Sequence, residues 1–243
     1  IVIGGEFTSF NQVARNRIVR LKPDGTVDTS FNIGTGADGY VMSVALQDDG
    51  KILIGGYFTA FNGVPRNRIA RLHANGALDT SFDPGTGFDN NVFSLAVTGT
   101  GQVIAGGDFT SLNGVARNRI ARLNADGSVD SSFNPGSAAN STIYAVLSQA
   151  DGKVVAGGAF TAFNGSTANR IVRLNTEGSV DTGFVTGSGM DNTVRALLPQ
   201  DGQKVLVAGA FTAYNGVAGA RMLRLNNDDT RDNGFLVGTG ADN

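Results

Sequence analysis

The stretch KILIGGYFTAFNGVPRN, Lys51 to Asn67, joins an apolar run (Ile52, Leu53, Ile54) to a glycine pair (Gly55, Gly56), then to Phe58-Thr59 and Asn62-Gly63. Its pattern returns five times: Phe7, Phe58, Phe109, Phe160 and Phe211 lie 51 residues apart, each followed by Thr. A fixed period of this size marks a solenoid, a propeller or an array, and it overrides the domain count that a length of 243 residues would suggest.

Working outward from that stretch, the repeat Tyr40–Asn90 reads as four short strands. Tyr40 to Gln47 carries small and apolar residues on both faces, as in a strand covered on both sides. Asp48-Asp49-Gly50 is a hairpin turn, leading into KILIGGYFT. Asn67 to His73 is the third strand, Asn75-Gly76 a second tight turn, and Ala77 to Phe82 a short fourth strand. Such a meander leaves two apolar faces exposed, and stacking copies face to face buries them. The expectation is an all-β fold, a β-propeller of 51-residue four-stranded blades, with essentially no helix.

The repeats fall at approximately 1–39, 40–90, 91–141, 142–192 and 193–243, taken together as a single domain spanning residues 1–243. Ile1 aligns with Ile52 and Asn243 with Gly39, so the segment corresponding to Tyr40–Lys51 has no counterpart in the first unit. Two arrangements fit: five blades with the first lacking its innermost strand, which is preferred because it matches the repeat count, or a section of a longer array.

Composition narrows the functional classes. Net charge is −2 with no basic patch, which argues against nucleic acid as a partner. Cysteine is absent and His73 is the one histidine, which removes thiolate and histidine-rich metal sites. No apolar run reaches the ~18 residues of a membrane-helix candidate, so membrane insertion is not expected.

Recurrence inside the chain translates into physics. Gly5, Gly56, Gly107, Gly158 and Gly209 share one position, read as a close approach between neighbouring blades. The Phe7 series and the series Phe31, Phe82, Phe133, Phe184 and Phe235 read as core between blades. Arg20, Arg71, Arg122, Arg173 and Arg224 face Asp28, Asp79, Asp130, Asp181 and Asp232 across the turn between the third and fourth strands. They read as structural ion pairs or turn anchors. A second series, Arg17, Arg68, Arg119, Arg170 and Arg221, has no evident role at this level.

Candidate chemistry concentrates on the loop-rich face, where the loops from second to third strand and from fourth to next first strand emerge. An aromatic ligand platform beside the Asn-Gly turn would use Phe10, Asn11, Phe61, Asn62, Asn113, Phe163, Asn164, Tyr214 and Asn215, with the rings partly exposed. Asp38, Asp89 and Asp191 recur on the same face; oxygen ligands of this kind suit a hard cation such as calcium, and Asx-turn capping is the alternative. No other cofactor is implied. The position after the glycine pair breaks the repeat as Glu6, Tyr57, Asp108, Ala159 and Ala210. Glu6 and Asp108 would be the carboxylate pair of a glycoside hydrolase, against which stands a tolerant, semi-exposed position. His73 reads as a surface residue.

Asp49-Gly50-Lys51, Gly55-Gly56, Phe58-Thr59, Asn62-Gly63, Arg68-Ile69 and Asp79, with Asp151-Gly152-Lys153 and Asn169-Arg170-Ile171, carry a resemblance to the delta-60 repeat of bacterial propeller-like proteins. The resemblance covers essentially the whole chain. It implies a β-propeller forming part of a larger bacterial protein that is secreted or surface-exposed, with no assigned reaction. The last unit departs from it at Ala208, Asp229 and Gly219-Ala220. The functional expectation is a non-catalytic binding or scaffold module for a protein or glycan on the loop-rich face. The alternative is a multivalent lectin with repeated sites, and a glycoside hydrolase stands third.

Overall fold

In the computed structural model, which describes residues 1–184 and 186–242, the expected meander forms in the second to fifth repeats, and in the first repeat without its first strand. Val41–Leu46 pairs antiparallel with Ile52–Gly56, which pairs in turn with Ile69–Leu72. The turn between the first two strands is closed by Gly50, at φ 81°, whose N–H donates to the Gln47 carbonyl at 2.9 Å. The same three-stranded order recurs in the third, fourth and fifth repeats, and the first repeat pairs Val2–Gly4 with Ile18–Arg20. Among the described residues the one helical turn is a 3₁₀ segment, Asp201–Gln203.

The fourth member of each unit joins its sheet through a single bridge, Leu72↔Leu78 in the second repeat. It goes no further because Asp79 starts a turn: its Oδ1 accepts from the Ser81 N–H at 3.0 Å, and its carbonyl accepts from Phe82. A second local element is new relative to the sequence expectation. Ala60–Phe61 and Val64–Pro65 form a two-residue hairpin around Asn62 (φ 49°) and Gly63 (φ 75°). Positive φ at both central residues is the geometry for which Asn-Gly is preferred.

The chain divides into two compact units, Ile1–Arg117 with Ala121–Asp130, and Asn118–Ile120 with Ser131–Asn243. In the first unit, one core gathers Phe31 and Val41 with Ile52, Ile54, Phe58 and Phe61, and another gathers Leu53 and Ile69 with Val92, Val103, Phe109 and Leu112. Both clusters mix residues of successive repeats, so sheets pack face to face within the unit. The second unit repeats the pattern with Leu147, Val155 and Ile171 against Val194, Val207 and Phe211. A buried Phe contributes roughly 1.5–3 kcal/mol, so Phe58, Phe82, Phe109, Phe133, Phe160 and Phe211, all fully buried, dominate the core.

The glycine pair has two causes rather than one. A Cβ on Gly55 would meet Val92 Cγ1 of the next repeat at 2.8 Å, which is the expected close approach between neighbours. Gly56, the member of the invariant series, is constrained by its own sheet. The first strand carries a bulge between Val41 and Ser43, and a Cβ on Gly56 would lie on the Tyr40 carbonyl oxygen. Gly107, Gly158 and Gly209 face Asn91, Thr142 and Thr193 in the same way. A bulge, not contact with the neighbouring sheet, therefore fixes this position.

Candidate binding surface

The Arg–Asp series forms one clamp per repeat. Arg71 Nε donates to Asp79 Oδ2 at 2.8 Å, and its Nη1 reaches the Ala125 carbonyl of the next repeat at 2.6 Å. Its guanidinium lies 4.9 Å from the Phe82 ring centroid. Asp79 Oδ1 is held by Ser81. Burial pushes this carboxyl up, but the bonds from Ser81 and Arg71 prevail and hold it well below the usual carboxylate range. Arg20–Asp28, Arg173–Asp181 and Arg224–Asp232 repeat the pair at 2.8, 2.7 and 2.8 Å. These residues are structural, as expected. The lone histidine is half exposed, its Nε2 3.8 Å from Asp79 Oδ1.

The second arginine series now has a role. Arg17, Arg68, Arg170 and Arg221 stand in the left-handed region, φ 67–69°, where the chain leaves the small hairpin and enters the third strand. Each donates from Nη1 to the carbonyl of the residue after the glycine pair: Glu6, Tyr57, Ala159 and Ala210.

The recurrent polar side chains of the loops are likewise committed to the backbone. Asp89 Oδ1 accepts from the Thr110 and Ser111 N–H groups at 2.8 and 2.9 Å, and Oδ2 accepts from the Thr110 hydroxyl at 2.5 Å. Asp38 does the same with Thr59 and Ala60, and Asp191 with Thr212 and Ala213. Burial raises the Asp89 carboxyl and those three donors more than offset it, leaving it below its ordinary value. Each calcium candidate thus accepts from the backbone of the small hairpin that follows, 21 and 22 residues along the chain, rather than from its own turn as an Asx cap would. Among the described residues no group of three or more acidic or histidine side chains converges. Asn62, Asn113 and Asn164 accept through Oδ1 from the N–H of Thr35, Thr86 and Ser137 in the preceding loop, and Asn215 from Gly189. Asn11 has the same left-handed backbone, φ 46°.

The aromatic half of the expected platform is corrected by burial. Phe61, Phe163 and Tyr214 are 0, 1 and 2% exposed, and Phe10 is half-buried. The reason lies in the bridges Ala37↔Phe61, Ala139↔Phe163 and Met190↔Tyr214, which lay the preceding loop over each ring. Phe163 and Asn164 still line a cavity of about 450 Å³ with Asn134, Ser166 and Thr167. A second cavity, about 370 Å³, is lined by Asn16, Arg17, Thr35, Asp38 and Ala60.

A different aromatic group is exposed at the same end of the sheets. Tyr40 and Tyr57 pack edge to face at 5.8 Å between centroids, and Tyr57 and Phe93 do so at 5.8 Å. Both tyrosines are 37% exposed, and Met42 beside them is 50% exposed. Arg17 lies 5.4 Å from the Tyr40 centroid. Glu6 bonds the Tyr40 phenol and pushes its pKa up. Asp108 follows Gly107 at the same end of the adjoining strand pair, its N–H donating to the Asn91 carbonyl at 3.2 Å. Its Oδ1 is buried and accepts no hydrogen bond. Sequence reasoning missed this strip as a unit. The signal available was the break at Glu6, Tyr57 and Asp108, and the structure adds Tyr40 and Phe93 from the neighbouring first strands.

Comparison with known proteins bears on the fold. The chain spans between half and two-thirds of the length of the solved structures it first matches. The WD40 β-propeller domain of Doa1 aligns over 85% of this chain and 56% of its own, at 15% identity and a TM-score of 0.55. A gluconolactonase from Xanthomonas campestris aligns over 79% and 62%, at 13% identity and a TM-score of 0.48. A virginiamycin B lyase from Staphylococcus aureus aligns over 83% and 56%, at 16% identity and a TM-score of 0.47. No curated protein matches the sequence. The family model described as a domain of unknown function (DUF5122) beta-propeller matches residues 1–31, 47–82, 99–133, 149–184 and 201–235, once in each repeat. The chain therefore belongs to the DUF5122 β-propeller family.

Proposed function

We propose that the chain is a non-catalytic binding module of an extracellular or cell-surface protein. One observation carries this: the repeated polar side chains at the loop-rich end are consumed in holding the loops, whereas two of the side chains that break the repeat, Tyr57 and Glu6, belong to or bond an exposed aromatic strip. A rigid frame that displays a few unrepeated side chains is the anatomy of a recognition surface. Catalysis would need an acid or base held against a reacting atom by a third group. Glu6 is exposed and bonded to a phenol, which supplies no such arrangement. The extracellular placement follows the delta-60 resemblance; no helix among the described residues is long and apolar enough to cross a membrane.

The test is a paired screen of the purified chain: a glycan array for binding, and chromogenic glycosides and lactones for turnover. Selective binding without turnover is expected. Turnover that disappears in Glu6→Gln or Asp108→Asn would replace this proposal with an enzyme.

A further inference from the structure

We infer that the free edge of Val2–Gly4 is a strand-addition site, and that its occupant is an extended peptide with the pattern of this chain's own first strands. Val41–Leu46, Val92–Val97, Ile143–Ser148 and Val194–Pro199 share that pattern: Val or Ile, then a small Ser or Ala two positions on, then an apolar pair. This surface goes beyond the binding-module proposal and makes no use of the exposed aromatic strip.

In the second to fifth repeats the second strand is paired on both sides, whereas Val2–Gly4 pairs only with Ile18–Arg20. Ile1 exchanges bonds with Leu21, and the Gly5 N–H donates to the Arg17 carbonyl. Antiparallel alternation therefore directs the N–H and C=O of Val2 and Gly4 to the other side. Their counterparts Leu53 and Gly55 meet Ala45 and Ser43 there. The Val2–Gly4 edge carries no charge, proline or bulge, which are the devices that normally blunt an edge.

The side chains beside that edge call for the same occupant. In the third repeat Leu95 is 7% exposed, in one cluster with Leu53 and Ala45 of the second repeat, and its N–H donates to Ser43 Oγ at 2.9 Å. The counterpart of Leu95 one repeat earlier is Val44, which is only half-buried, and Leu46 beyond it is 67% exposed. A peptide of first-strand type in the same register fits both surfaces. Its backbone bonds Val2 and Gly4 as Ala45 and Ser43 bond Leu53 and Gly55. Its small residue lies opposite Gly4, where a Ser hydroxyl would accept from the Val44 N–H. Its next apolar residue on that face covers Val44 and Leu46. Strand addition draws affinity from the main chain and specificity from alternate side chains in this way. A second copy of the chain is a poorer occupant: its first strands are already paired, and it could offer only its own three-residue edge.

The probe is a fluorescein-labelled peptide with the chain's own sequence from Tyr40 to Lys51, YVMSVALQDDGK, titrated with the 243-residue chain and read by fluorescence anisotropy. Saturable binding is expected, together with slowed amide exchange at Val2 and Gly4 in NMR spectra. Val2→Pro removes one outward N–H and spares the pairing made by Ile1, Ile3 and Gly5, so it should weaken binding about tenfold or more in a chain that thermal unfolding shows to be folded. A peptide carrying Ser43→Phe should lose binding to the same degree with the protein untouched. Absence of saturable binding, or binding unchanged by both substitutions, would overturn the proposal. A wild-type dimer in sedimentation that Val2→Pro returns to a monomer would overturn it in favour of a second copy on this edge.

Discussion

Arg71 Nε stands 2.8 Å from Asp79 Oδ2, and the two side chains are 6% and 2% exposed. The pair sits where one repeat meets the next, since the same guanidinium also reaches the Ala125 carbonyl. In the last repeat the equivalent Arg224 and Asp232 are 25% and 12% exposed. Removing one partner of a buried pair costs about 3–5 kcal/mol, whereas solvated pairs contribute about 0–1. Arg71→Ala should therefore destabilise the protein by about 3 kcal/mol or more, and Arg224→Ala by clearly less. Urea unfolding of the two variants measures the difference; equal losses would mean that the clamps do not work through burial.

The same clamps set the acid limit. Serine bonding holds Asp28 at about 2, and Lys204 holds Asp232 at about 2. For Asp181, burial raises the carboxyl but Lys153, the Gly183 N–H and Arg173 bring it to about 2. A carboxylate depressed in the folded state stabilises above its unfolded pKa of 3.8, and that contribution is lost as pH falls through the folded value. From the clamps alone, the melting temperature should be flat down to about pH 4 and drop steeply from there toward pH 2. A drop beginning near pH 6 would assign acid sensitivity to other groups.

Asp229 gives an opposite dependence. It replaces the turn glycine of the other repeats, is 2% exposed, and is bonded by the Tyr214 hydroxyl. Burial pushes its carboxyl up to about 7, and the Tyr214 bond only partly reverses that. With the folded value above the unfolded 3.8, its contribution is fully present below about pH 4 and is lost as pH rises through 7. Asp229→Gly suits the left-handed backbone there, φ 73°, and should raise the melting temperature at pH 8 more than at pH 5. A gain independent of pH would show that the carboxyl is ionised throughout.

Two glycines with similar backbones separate conformation from contact. Gly63 has φ 75° and open space at its Cβ position. Gly85 has φ 64°, and a Cβ there would strike the Asn113 amide that holds the Thr86 N–H. Gly63→Ala should cost about 1–2 kcal/mol, the left-handed penalty alone. Gly85→Ala should cost about 1 kcal/mol more, the value of the displaced hydrogen bond. Chemical denaturation of the two variants checks the order.

Much of this architecture was legible before any coordinates. The 51-residue period, the strands around Ile52 and Ile69, and the Arg71–Asp79 pairing all follow from recurrence, because a contact made in every repeat leaves the same residue in every repeat. The burial of Phe61 was not legible. It precedes an Asn-Gly turn, where surface is the usual inference, yet the bridge from Ala37 covers it. The strip was hidden for the opposite reason. Tyr40, Tyr57 and Phe93 come from different strands, and each is a departure from the repeat, so no periodicity connects them. The cause of Gly56 was also out of reach, since a bulge is a register shift that side-chain pattern does not record.

The most direct measurement is the paired screen of the purified chain, binding on a glycan array and to candidate protein partners beside turnover of chromogenic glycosides and lactones. The account predicts binding without turnover. Turnover that disappears in Glu6→Gln or Asp108→Asn would contradict it.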